Sequence, residues 1–102
     1  MIKIILITPG SPPTLSAPPG AAYSPDPVHL SKSGGDQVQW VCSQDFNVIM
    51  VYGTPFAVAK FTQASSRSGV PILTPDYGAQ VYFKYLVEVG GQVADPGVIV
   101  DA

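Results

Sequence analysis

The sequence predicts an all-β protein, a Greek-key β-sandwich of about seven or eight strands. Three observations lead there. Short runs of β-branched and aromatic residues alternate with period two between Gly- and Pro-rich turns. No long stretch carries the apolar spacing of an amphipathic helix. Apolar residues make up 46% of the chain and charged residues only 12%, against about 25% charged in an average soluble domain. That balance supports a packed core and excludes a disordered chain, a basic tail and a coiled coil. With 102 residues, a single domain spanning 1–102 is expected. A monomer of this size buries about 65% of its unfolded surface, enough for a core without a disulfide or structural metal.

Residues 2–8 are apolar on both alternations, Ile2, Ile4 and Leu6 on one side and Lys3, Ile5 and Ile7 on the other. Such a strand is covered on both faces or lies at an interface. Residues 9–27 contain seven prolines. They cannot form a helix or a central strand and read as an extended crossover. Val28-His29-Leu30 is a short strand, and the Gly/Ser-rich stretch from Ser31 to Asp36 is a turn. Gln37 to Cys42 alternates, with Val38, Trp40 and Cys42 inward, and Phe46 to Tyr52 carries the strongest strand pattern. Residues 56–64 are compatible with a short helix or a strand. Val70 to Leu73, interrupted by Pro71, reads as an edge strand. Pro75-Asp76-Tyr77-Gly78 is a turn before the long strand Gln80–Val89, which Gly90-Gly91 ends. Asp95-Pro96-Gly97 reads as a turn into the last strand, Val98-Ile99-Val100.

Several functional classes are excluded on composition. The five cations, Lys3, Lys32, Lys60, Arg67 and Lys84, are scattered, so no basic stripe exists to neutralise phosphates and nucleic acid is not an expected partner. No apolar run reaches the ~20 residues of a membrane span. Cys42 is the only cysteine, which rules out an internal disulfide. The apolar start Ile2–Ile7 is broken by Lys3 and stops at Thr8-Pro9-Gly10, too short for a signal peptide. The chain would be cytoplasmic if Met1 is the native start, and exported or extracellular if it is a processed or assembled form. Pro9-Gly10-Ser11-Pro12 fits a PxxP ligand but has no flanking basic residue to orient it. A Ser–His–Asp site would need the one histidine, His29, with Asp26, and no nucleophile elbow is present. No phosphate-binding glycine loop precedes a helix.

The order of these motifs resembles the cupredoxins, the blue-copper sandwich family that includes plastocyanin. Asp36-Gln37-Val38-Gln39-Trp40 is similar to the family's G-D-x-V-x-W. Phe46-Asn47-Val48-Ile49-Met50 is similar to its H-N-V-x-F strand, and Gly78 to Tyr85 to its G-x-Y-x-Y strand. Pro96 to Val100 is similar to the closing M-x-G-x-I-x-V. The resemblance implies the fold. The copper site of the family needs two imidazoles, a thiolate and a weak axial thioether. The positions that the resemblance assigns to those ligands are Phe46, Val87, Gly90 and Asp95, and none carries an imidazole or a sulfur. No copper and no other cofactor is therefore expected.

What remains is a non-catalytic, copper-free module that acts in binding or structural assembly, as a self-associating subunit or a partner of another protein. A sandwich buries one face of each sheet. The second apolar alternation of two strands therefore predicts a self-association face formed by Ile5, Ile7, Ile49 and Val51, unless the Pro-rich crossover folds over it. The alternative is a small metal-binding or redox protein with an unusual site using His29 or Cys42. A buried cysteine behaves as a small hydrophobe, and Cys42 has the inward phase of its strand.

Overall fold

Strand alternation, turn glycines and one capping box place the elements. A computed structural model describes residues 1–73 and 79–101. In chain order they form β1 (Ile2–Thr8), β2 (Thr14–Ser16), β3 (Val28–Ser31), β4 (Gln37–Cys42), β5 (Phe46–Val51), β6 (Lys60–Phe61), α1 (Gln63–Ser66), β7 (Val70–Pro71), β8 (Val81–Val89), β9 (Gln92–Ala94) and β10 (Gly97–Asp101). Two sheets result. One has the order β2-β1-β4-β7, and the other β3-β10-β8-β5-β6 with β9 also paired to β8. The pairs β1/β4 and β3/β10 are parallel and the others antiparallel. The protein is an all-β, two-sheet sandwich.

The buried faces follow the alternation in β3, β4, β5 and β8. Val28 and Leu30, Val38 and Trp40, Phe46 and Val48, and Tyr85 and Val87 all lie in one core cluster. β1 settles the other way from the expected self-association face. Ile5 and Ile7 are 0% and 4% exposed and belong to that core. The register with β4 decides this, because it sets Ile5 beside Trp40 and Ile7 beside Cys42. The outward residues of β1 are Ile2, Ile4 and Leu6. Tyr52 also leaves its expected place. β5 ends at Val51, and Tyr52 has φ 61 and is fully exposed.

Two further elements differ from expectation. β9 and β10 run in one register along β8, with Val87 opposite Ala94 and Lys84 opposite Gly97. Between them Tyr85 N donates to Pro96 O at 3.0 Å. Asp95-Pro96 is thus inside a hairpin arm, not a turn. The hairpin's turn is Gly90-Gly91, with φ 57 and 78, the left-handed pair that a two-residue I′ turn requires. Residues 56–64 are neither one helix nor one strand. Only Lys60–Phe61 pair with β5, and α1 starts at Gln63. Thr62 caps it: Ser65 N donates to Thr62 Oγ1 at 3.3 Å, and Thr62 N donates to Ser65 Oγ at 2.7 Å, a reciprocal capping box. Val70–Pro71 lies at the sheet edge, as a strand proline requires. The expected Pro75–Gly78 turn lies outside the described residues.

The Pro-rich crossover contributes β2 and then follows the edge of β1. Leu15 and Tyr23 pack on the core. Beside it, the inward phase of Lys3 carries its ammonium across to the second sheet. Lys3 Nζ donates to His29 O at 2.6 Å and lies 3.4 Å from Asp36 Oδ2. That carboxylate also accepts from Ser31 N at 2.9 Å. Burial alone would raise the Asp36 pKa. The Ser31 N–H, the Lys3 ammonium and the Met1 amino group outweigh it and hold the carboxyl below its usual range. A depressed folded pKa contributes stability above the unfolded value of about 4 and loses it as pH falls through that range. Asp36→Asn is expected to cost about 1–3 kcal/mol at neutral pH, with the gap to wild type closing below about pH 4. Urea melts at neutral and acid pH check this, and a gap that does not change with pH would contradict it.

Candidate functional site

The end of the sandwich where β5 begins and β8 turns into β9 holds an open cleft of about 400 Å³. Asp45, Phe46, Thr62, Gln63, Glu88 and Gly90 line it. Each side chain arrives for a local reason. Phe46 has the inward phase of β5 and is 4% exposed, so its ring forms the floor. Glu88 has the outward phase of β8, with Asn47 Nδ2 donating to its Oε1 at 3.4 Å. Thr62 and Gln63 are placed by the cap of α1. Gln63 Oε1 accepts from Cys42 N at 2.9 Å, which ties the cleft wall to the edge of β4.

The four positions that the resemblance assigns to copper ligands do not all meet here. Phe46 and Gly90 share the cleft. Val87 is fully buried opposite Val48, one inward step below, and the residue opposite Phe46 is Val89. Asp95 stands apart, 70% exposed and 3.2 Å from Lys84 Nζ. The cleft therefore combines an apolar floor with two carboxylates, Asp45 and Glu88, and two amides already in use, Asn47 and Gln63. Thr62 brings the cleft's hydroxyl, which accepts from Ser65 N at 3.3 Å in the cap of α1. The α1 contribution was missed at the sequence level. Its signal is the Thr62-x-x-Ser65 spacing of the capping box.

His29 and Cys42 are not brought together. The His29 carbonyl is held by Lys3, whereas Cys42 pairs with Ile7, about 13 Å further along β1. His29 Nδ1 lies 3.1 Å from Asp101 Oδ1, which also accepts from Gln80 Nε2 at 2.7 Å. Cys42 is buried in the core. Asp26, the other half of a candidate His29 pair, accepts from Gly97 N at 2.9 Å and so anchors β10. Among the described residues, no three of His, Cys, Asp and Glu converge in a way that would hold a metal ion.

The outward face of the β3-β10-β8-β5-β6 sheet carries a group of apolar residues. Ile49 and Val51 are half-buried there, as are Leu86 and Ile99. Ile49 stands opposite Leu86, and Ile99 opposite Tyr82. Tyr82 is 57% exposed and lies flat over Gly97, where a Cβ would collide with its ring. The Lys84–Asp95 pair crosses the middle of the patch. Of the four residues expected to form a self-association face, this leaves Ile49 and Val51 outside, with Ile5 and Ile7 in the core. No helix among the described residues is long and apolar enough to cross a membrane. Comparison with protein-family models, with curated proteins and with solved structures finds no match for the chain.

Proposed function

We propose that the chain is a copper-free, cupredoxin-like Greek-key module that works by self-association or protein binding rather than by catalysis. The observation that carries this reading is the outward sheet face on which Ile49, Val51, Leu86 and Ile99 are half-buried beside the exposed Tyr82. A face a sandwich leaves to water is ordinarily polar, and apolar residues gathered on such a face, here on either side of the Lys84–Asp95 pair, mark a contact surface. The cupredoxin-like part rests on the motif order. The Trp40 strand, the Phe46-Asn47-Val48 strand and the closing strand each fall on a strand of the sandwich, β4, β5 and β10. The copper-free part rests on side-chain chemistry: Phe46, Val87 and Gly90 offer no donor atom from their side chains, and the Asp95 carboxylate stands apart, paired with Lys84.

The test is solution mass. Wild type is expected to scatter as a species larger than 10.7 kDa at micromolar concentration. Replacing both Ile49→Lys and Val51→Lys should weaken association by roughly 100-fold or more and leave the far-ultraviolet spectrum of a folded β protein. A wild-type monomer at these concentrations would overturn self-association. An intense visible thiolate-to-copper band on adding Cu(II) would overturn the copper-free reading.

A further inference from the structure

The open half of β1 is closed by one hydroxyl group. β2 pairs with β1 in the register Leu6 to Ser16 and Thr8 to Thr14. The next β1 residue whose N–H and C=O point to that edge is Ile4. In the same register its partner would be Pro18, which has no N–H to give. The chain turns away there, with Ala21 N donating to Pro18 O at 3.1 Å, and brings Tyr23 back against the strand. Ile4 N donates to Tyr23 Oη at 2.8 Å, and Tyr23 Oη donates to Ile4 O at 2.9 Å. A single phenol thus makes both bonds that an antiparallel strand would have made. Its ring rests on the core, and Lys3 Nζ lies 5.7 Å from its centroid.

We infer that Tyr23 is a latch that shuts the edge of β1 against addition of a strand from a second copy of this chain. Exposed edges are usually guarded by charge. The outward residues here are Ile2 and Ile4, and the one charge on the strand, Lys3, is turned inward. No side-chain charge would therefore oppose two copies meeting along this edge once the latch opens. The edge belongs to the sheet opposite the proposed assembly face. Variants are therefore compared in the Ile49→Lys/Val51→Lys background, where association through that face is removed and only the β1 edge is read.

In wild type, the Ile4 amide should be protected from hydrogen exchange much as the β4-paired amides of β1 are. A freely exchanging Ile4 amide overturns the latch without any variant. Tyr23→Phe should speed Ile4 exchange roughly tenfold or more with little change at Ile5 and Ile7. Light scattering should then show a dimer or larger species where the parent is monomeric. Adding Ile2→Lys to Tyr23→Phe should return the monomer by placing a charge on the opened edge. Unchanged Ile4 exchange, a persistent monomer in Tyr23→Phe, or association that Ile2→Lys does not reverse would each overturn the inference.

Discussion

Trp40→Ala is expected to destabilise the protein by at least ~3–5 kcal/mol, the largest effect of any single substitution described above. Trp40 is fully buried between the sheets. Its indole stacks on Phe61 at 5.5 Å and meets Phe56 and Tyr85 edge-on at 6.0 and 5.6 Å. Truncation removes all three ring contacts and opens a cavity in the core. It also removes the Nε1–H that donates to Tyr85 Oη at 3.3 Å, leaving a buried hydroxyl to find another partner. The whole stability of a domain this size is about 5–15 kcal/mol, so the melting temperature should fall by roughly 15–30 °C. Trp40→Phe should cost less, since the ring volume is largely kept and only the N–H donor is lost. Thermal melts of the two variants check this. A loss for Trp40→Ala no larger than for Trp40→Phe would show that the cluster closes around the gap.

The same cluster makes the fold sensitive to alkali. Burial pushes the Tyr85 phenol well above its usual pKa. A raised folded pKa means stability that is present below the unfolded value of about 10 and is lost as pH climbs past it. Trp40 also fastens the helix side of the sandwich. Ser66 Oγ donates to Trp40 O at 3.1 Å and accepts from Trp40 N at 3.3 Å. That is the β4 counterpart of what Tyr23 does on β1. Side chains thus take up the backbone groups of β1 and β4 where β2 and β7 stop, the Tyr23 phenol at Ile4, the Ser66 hydroxyl at Trp40 and the Gln63 amide at Cys42.

These edge devices are the part of the fold that alternation does not reveal. Inward residues were legible where a polar residue separates two apolar ones, as Gln39 does in β4, Asn47 in β5 and Lys84 and Glu88 in β8. Residues 2–7 carry no such contrast. Which alternation of β1 is buried depends on pairing with a strand more than thirty positions away, and nothing local encodes it. Asp95-Pro96 has turn composition, yet it lies in a hairpin arm because Gly90-Gly91 had already supplied the reversal and only the Pro96 carbonyl is needed. The cleft was half legible. Phe46 and Gly90 were singled out by the motif resemblance. Thr62, Gln63 and Glu88 join them only through the cap of α1 and the outward phase of β8.

Phe46→Ala tests whether the position that resembles a copper ligand is a core position in this chain. The ring is 4% exposed, opposite Val89 on β8 and next in phase to Val48. Core phenylalanine truncations cost about 3–5 kcal/mol, and the spread reflects how much cavity remains. Here the void would merge with the cleft above it, so water can enter and the cavity contribution shrinks. The expected loss is therefore at the lower end, about 3 kcal/mol. Phe46→Leu, which keeps the floor apolar and nearly filled, should lose roughly half as much or less. Denaturant melts with an unchanged slope would measure both losses on one scale. A loss below ~1 kcal/mol for Phe46→Ala would mean that the ring lies over the cleft rather than under it. The position that the resemblance assigns to a first copper ligand would then be open, and the proposal of a closed, metal-free end of the sandwich would fail.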